Sequence, residues 1–287
     1  MPNAVEPPVA SPSSLQDAYA LLAKGGYRPI AGGTDLMVQL TGEIGEPPER
    51  VLDISRLDRL RGIERNAGWL VIGALTTYTE LRRSPLIAEL LPALAEAAAT
   101  IGAAQIQQRG TLGGNIANAS PAGDTLPILL ATDARIVVGS GRQERTIPAT
   151  EFWIGYRTTA RADDELVLRV EVPLVSDRRV RFRKIGTRRA QAISKVVMAL
   201  SWSADGRAGA WRNVRLALGS VAERPIRAWE TEAILEGARP DEETAERAVA
   251  ALAAEIHPID DVRSTAEYRR AVATRVLHRL IREEGSR

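Results

Sequence analysis

Ile30-Ala31-Gly32-Gly33-Thr34-Asp35-Leu36 and Thr111-Leu112-Gly113-Gly114-Asn115-Ile116-Ala117-Asn118-Ala119-Ser120-Pro121-Ala122-Gly123-Asp124 decide how this 287-residue chain is read. The first stretch closes a short run, Arg28–Ala31, that reads as a strand. Two glycines directly after a strand let the backbone turn sharply, and with no Cβ in the way several N–H groups can face one anion. Thr34 adds a hydroxyl donor. The second stretch has the same small-residue character and adds polar side chains suited to sugar hydroxyls. One Gly-Gly is most often just a turn; two such segments in one region can hold the two phosphates of a dinucleotide. Neither matches G-x-G-x-x-G followed about 20 residues later by an acidic residue, nor G-x-x-x-x-G-K-S/T, so two common phosphate-binding designs are set aside.

Working outward, Ser13-Ser14-Leu15-Gln16 reads as a capping box with Ser13 at the cap, opening a helix through Leu15, Ala18, Tyr19 and Leu22 that Gly25-Gly26 stops. Val51–Ile54 and Trp69–Leu75 read as strands. Ser84-Pro85 opens a second helix with Leu86, Leu90, Leu94 and Ala98 on one face and a kink at Pro92. Residues 105–124 lose helical periodicity and read as a long irregular segment. Strands return at Ala134–Val138 and Leu166–Val172, and a charged stretch at 174–180 reads as a boundary. Beyond it, Val180–Ile185, Lys195–Ser203 and Val214–Ser220 read as strands, with an Asp205-Gly206 turn, followed by helices over about 226–236, 241–256 and 264–283. Strands grouped apart from a helical tail predict an α+β fold.

Composition narrows the function. The 38 basic and 36 acidic residues nearly cancel, which argues against the clustered positive face that nucleic acids need. The scattered Trp and Tyr form no stacking platform, and Trp153, Trp202 and Trp211 read as core or interface residues. The absence of cysteine excludes disulfides, thiolate zinc sites and iron–sulfur clusters held by this chain. With only His257 and His278, a histidine-rich metal site is not expected either. Redox chemistry would then fall to a bound organic cofactor. Met1–Pro12 reads as a loose tail, no run of about 18 apolar residues occurs, and a cytoplasmic location is expected.

The two glycine motifs, in this order and with Leu36 and Thr111 75 positions apart (111 − 36), resemble those of the FAD-binding medium subunits of molybdenum hydroxylases, the xanthine, aldehyde, nicotine and carbon monoxide dehydrogenase group. Leu52-Asp53-Ile54, Leu70–Ala74, Asp164–Val167 and Asp261–Arg270 are similar to further segments of that family. The resemblance implies a two-subdomain FAD-binding domain over 1–175 (about 1–60 and 61–175). A small antiparallel sheet packed with helices would follow over 178–287. It implies that the backbone of Pro29, Ile30, Ala31, Gly32, Gly33, Thr34, Asp35 and Leu36 wraps the FAD pyrophosphate. Thr111, Gly113, Gly114 and Asn115 would hold the cofactor from the other flank, with Asn118 beside them. Asp124 would accept hydroxyl hydrogen bonds, Ile101 and Val167 would lie along the ring, and Lys184 would stand near it. Lys184–Arg189 resembles a loop beside the flavin; Arg188, Arg189 and Ala190 stand where carbon-monoxide-type relatives commonly carry an aromatic residue. Positive charge from Lys184 or Arg188 is expected to favour the anionic reduced flavin and raise its potential.

The resemblance further implies non-covalent FAD fed by 2Fe–2S clusters of a small partner subunit. A large molybdenum–pterin subunit would oxidise the substrate, in a dimer of heterotrimers, and electrons would leave to an external acceptor. No nucleophile–base pair is legible, so no catalytic residue is assigned. Plainer readings stand beside these. Asp35 reads equally as a helix cap, Asn118 and Asp124 as turn residues, and Arg188-Arg189 as a solvated loop. His257 reads as structural and His278 as a surface or interface residue. At the level of function, the alternatives are a self-contained FAD oxidoreductase and a non-redox assembly protein that keeps the fold.

Overall fold

The computed structural model describes residues 7–42, 46–188, 191–204 and 209–285. The expected Asp205-Gly206 turn, together with Arg189 and Ala190, lies outside the described residues. The chain opens with β1 (Val9–Ala10), α1 (Leu15–Leu22), β2 (Tyr27–Ile30), α2 (Leu36–Thr41) and β3 (Arg50–Asp53). The strands form a parallel sheet in the order β1-β3-β2, with Pro29 opposite Leu52 and Ile30 opposite Asp53. Part of the expected N-terminal tail is therefore a sheet edge. The cap of α1 is Ser14, whose hydroxyl accepts from the Asp17 N–H at 3.1 Å, one residue later than the sequence predicted.

The middle of the chain carries β4 (Ile63–Asn66), β5 (Trp69–Gly73), α3 (Tyr78–Arg83), α4 (Pro85–Leu90), α5 (Pro92–Thr100), α6 (Ala104–Arg109), α7 (Leu112–Asn118) and α8 (Leu126–Ala131). It continues through β6 (Arg135–Gly139), β7 (Glu144–Pro148), α9 (Ala149–Phe152), β8 (Trp153–Gly155), β9 (Thr158–Thr159) and β10 (Leu166–Pro173). Pro92 does more than kink its helix: Leu91, at φ −150° and ψ 60°, separates α4 from α5. A proline removes one helical N–H and clashes with the turn before it, so it serves better as the first residue of a new helix.

The expected irregular segment is largely helical, as α6 and α7. Strands β4-β5-β10-β6-β7 form an antiparallel sheet. Alternation splits its residues between two cores. Leu70, Ile72, Ile136, Val138, Val170 and Val172 face α3–α5, α7 and α8, whereas Val137 joins Leu52, Leu57 and Leu75 on the side of the parallel sheet. An irregularity between Val167 and Arg169 switches the parity of β10, so Leu166 and Leu168 face the same side as Val137.

The rest is β11 (Arg179–Ile185), β12 (Val196–Ala204), β13 (Trp211–Gly219), β14 (Ile226–Arg227), α10 (Trp229–Leu235), α11 (Glu242–Glu255) and α12 (Ala266–Gly285), with the strands in one antiparallel sheet. This sheet is covered on both faces. Val196, Met198, Leu200 and Trp202 join the core under α10–α12, while Val197, Ala199 and Ala217 join the core around α8. The side turned to α8 carries small residues, which lets that fully buried helix lie close. The fold is α+β, as the sequence predicted. No helix among the described residues is long and apolar enough to cross a membrane.

Candidate functional site

The first glycine segment leaves β2 with the Ile54 N–H donating to Ile30 O at 3.0 Å, then turns at Gly33, whose φ of +75° suits glycine. The Met37 N–H returns to Gly33 O at 2.9 Å and α2 begins. Among the described residues, the N–H groups of Gly32, Gly33, Thr34, Asp35 and Leu36 have no hydrogen-bond acceptor. Such a run of unpaired donors is a ready anion contact. Asp35 occupies the cap position of α2 without capping it. Its Oδ1 instead accepts from Asn118 Nδ2 at 2.9 Å, and Arg157 Nη1 donates to Asn118 Oδ1 at 2.9 Å. One polar chain thus joins both glycine segments to the β8–β9 hairpin.

The second segment works differently from the expectation of a second amide cradle. Thr111 caps α7, its hydroxyl accepting from the Gly114 N–H at 3.0 Å. The Leu112 N–H donates to Thr76 O at 2.9 Å and the Gly113 N–H to Ala74 O at 2.8 Å. These amides are used inside the fold. Gly113 is glycine because α7 lies on the end of β5: a Cβ there would sit 2.6 Å from the Ala74 Cβ. What this flank offers a ligand is side chains. Asn115 accepts from Thr125 Oγ1 at 2.6 Å, and its Nδ2 has no partner among the described residues.

The two segments meet. A Cβ on Gly32 would lie 1.9 Å from Arg109 O, and Arg109 Nε donates to Gly32 O at 3.4 Å. Ala31, Gly32, Arg109 and Thr111 share the wall of an open cavity of about 610 Å³, with Arg61 and Arg83 on its rim. Of the expected residues, only Ala31, Gly32 and Thr111 line it; the Asp35–Asn118 contact and the Asp124 cluster lie outside this lining.

That cluster is a buried ion pair. Asp124 Oδ2 lies 2.6 Å from Lys184 Nζ, their side chains 8% and 5% exposed, and Asp124 Oδ1 accepts from the Ser194 hydroxyl. Lys184 Nζ also donates to Thr100 O at 3.2 Å, which brings half-buried Ile101 into the same neighbourhood. Burial pushes the Asp124 carboxyl up, against the downward pull of the Lys184 charge and of the hydrogen bonds from Lys184 and Ser194. Lys184 is therefore no lone positive charge: Asp124 pairs with it inside the fold. Arg188 donates to Gln191 O within its own loop. Val167 is buried in β10.

Sequence reasoning missed Tyr78, Arg109, Arg157 and Ser194. Tyr78 packs where a Cβ on Gly110 would reach 2.7 Å from its ring, and burial, then Asp35 and Asp124, raise its phenol. Arg109 abuts the second motif and carried a usable signal. Nothing in the sequence ties Arg157 to Asn118 across 39 positions.

The donor set fits FAD. Unpaired amides and an arginine suit the diphosphate, free Asn115 Nδ2 suits a hydroxyl or ring oxygen, and Gly32 leaves room for no side chain at the meeting point. Among known proteins, residues 4–175 match the family model for the FAD binding domain in molybdopterin dehydrogenase, and residues 181–284 that for the CO dehydrogenase flavoprotein C-terminal domain. The chain is 32% identical to the glyceraldehyde dehydrogenase medium chain of Sulfolobus acidocaldarius, over 90% of this chain and 91% of that one. It is 31% identical to the carbon monoxide dehydrogenase medium chain of Hydrogenophaga pseudoflava, over 96% of each. Its structure superposes on carbon monoxide dehydrogenase from Hydrogenophaga pseudoflava lacking the Mo-pyranopterin moiety with a TM-score of 0.91 at 31% identity, covering 95% of each chain. The chain belongs to the family of FAD-binding medium subunits of molybdenum hydroxylases, as an oxidoreductase subunit.

Proposed function

We propose that this chain holds FAD non-covalently and relays electrons from the 2Fe–2S clusters of a small partner subunit to an external acceptor. A large molybdenum–pterin subunit would oxidise the organic substrate, within a dimer of heterotrimers in the cytoplasm. The reading rests on one observation above the others: Gly32 is packed against the Arg109 carbonyl, which brings the two glycine segments to one cavity, and Gly32 in its wall is the first of a run of unpaired amides. FAD, when bound, supplies the redox chemistry.

The chain's own residues bind and orient. Residues 1–175 form the cofactor-binding unit and 178–287 the covering unit. The amides from Gly32 to Leu36 face the diphosphate, with Pro29, Ile30 and Ala31 setting their approach. Thr111, Gly113 and Gly114 hold α7 in place so that Asn115 presents its amide Nδ2, while Asn118 ties the end of α7 to Asp35 and Arg157. The buried Asp124–Lys184 pair stands beside Ile101 and brings no net charge to the cofactor, and Val167 backs the site from β10. The relatives' substrates support the division of labour. Medium chains named for glyceraldehyde and for carbon monoxide dehydrogenases are about equally similar to this one, as expected if another chain chooses the substrate.

Purification from the native source tests this. A yellow chain that releases FAD on denaturation and travels with two partner chains is the expected result. A yellow chain that turns over an organic substrate alone would replace the reading with a self-contained flavin oxidoreductase. A colourless chain that takes up no added FAD would leave an assembly protein.

A further inference from the structure

Resting on the FAD reading above, we infer that Arg109 is the counter-charge of the cofactor diphosphate, a positioning residue outside both glycine motifs. Three arginines border the cavity, and their existing contacts rank them. Arg61 is occupied: its guanidinium donates to Leu75 O at 3.2 Å and Ser55 O at 2.8 Å and lies 3.6 Å from Asp58. Arg83 has no partner among the described residues, but nothing ties it to either glycine segment. Arg109 alone is fixed to the first segment, through the 3.4 Å contact of Nε with Gly32 O. Its two terminal nitrogens have no partner among the described residues, so both remain available to a ligand.

Its backbone explains why it is held there. The Gly110 N–H closes α6 onto Ile106 O at 2.7 Å, and Arg109 O packs against the face of Gly32 that lacks a Cβ. The side chain therefore starts at the junction of the two segments, beside the unpaired amides of Gly32 and Gly33. Amide dipoles carry only partial charge. A diphosphate carries full charges, and a guanidinium binds its oxygens with paired, charge-assisted hydrogen bonds. The nearest full charge on the first segment itself is the Asp35 carboxylate, of the wrong sign for this task, which Asn118 holds by a hydrogen bond. Without a cation the site would pair a dianion with a nearby carboxylate.

The test compares ligands that differ in phosphate. The full-length chain is stripped of flavin and titrated with FAD and with riboflavin, following flavin fluorescence. Arg109→Ala is expected to weaken FAD binding roughly tenfold, equivalent to about 1.4 kcal/mol, and to leave riboflavin binding unchanged. Arg109→Lys should recover part of the loss, since it keeps the charge but not the fork. Arg65→Ala, an exposed position on β4 outside the cavity, should bind both ligands as the parent does. Thermal unfolding of each apoprotein separates a binding loss from a folding loss.

If the parent binds FAD and Arg109→Ala binds it equally well, the inference is wrong and the FAD reading stands. Equal weakening of FAD and riboflavin would also overturn it, because Arg109 would then be supporting the loop rather than the phosphates. If the parent chain binds neither ligand, both the inference and the FAD reading fall.

Discussion

The Gly32 α-hydrogen that faces Arg109 O leaves no space for a methyl group, and both partners are backbone. Relief of such a clash requires the two glycine segments to move apart. Gly32→Ala is expected to lower stability by about 1–3 kcal/mol, as overpacking does, and to yield a purified chain with most of its flavin missing by absorbance. The Asp124–Lys184 pair supplies a second prediction at this scale. Each partner alone would be a buried, uncompensated charge. Asp124→Asn and Lys184→Met should each cost about 3–5 kcal/mol in urea unfolding, and the double variant should recover much of that loss. If the single effects simply added, the two groups would not be acting as a pair. This pairing was invisible in the sequence: Asp124 and Lys184 stood out separately, 60 positions apart, and only the fold sets one against the other.

Among the elements, α7 separates what the sequence displayed from what it concealed. The glycines at 113 and 114 and the polar run after them are poor helix formers, so local propensity spoke for a loop. The helix forms because Thr111 caps it and because Gly113 lets it rest on Ala74, a tertiary contact with no local signature. Thr111→Val keeps the shape and removes the cap, and should cost about 1 kcal/mol in chemical denaturation. By contrast, Ser84-Pro85 was legible as a helix start because a cap and a fixed φ act within one turn, whereas Pro92 read only as a kink and in fact begins a separate helix after Leu91. The long strands β10, β12 and β13 were legible as apolar runs. The short β1, β8, β9 and β14 were not, because their pairing depends on neighbours elsewhere in the chain. Of the candidate site, the turn of the first glycine segment after β2 was readable because it is local, with Gly33 at positive φ and the Met37 N–H returning to Gly33 O. The polar chain from Arg157 through Asn118 to Asp35 was not, because it links three elements distant in sequence.

Across the whole molecule, acid sensitivity should trace in part to one bridge. Arg145 grips Glu165 with two contacts of 2.6 and 2.7 Å, and the Ala162 N–H adds a third at 2.8 Å. The hydrogen bond from Arg145, ahead of other influences, holds the Glu165 carboxyl below its usual range. A carboxyl lowered in the folded state contributes stability above its unfolded value and loses it as pH falls through its folded one. The stability gap between the parent chain and Glu165→Gln should therefore be widest near neutrality and narrow in acid, as followed by unfolding at a series of pH values.

Strand β12 has a wider consequence. Because Val197 and Ala199 face one core and Val196, Met198, Leu200 and Trp202 the other, neither half of the chain is finished without its counterpart. Severing the peptide between Val175 and Arg178 should give two fragments that are poorly soluble when expressed apart. Produced together, they should reassemble spontaneously, which would make this junction a natural place to install a split reporter.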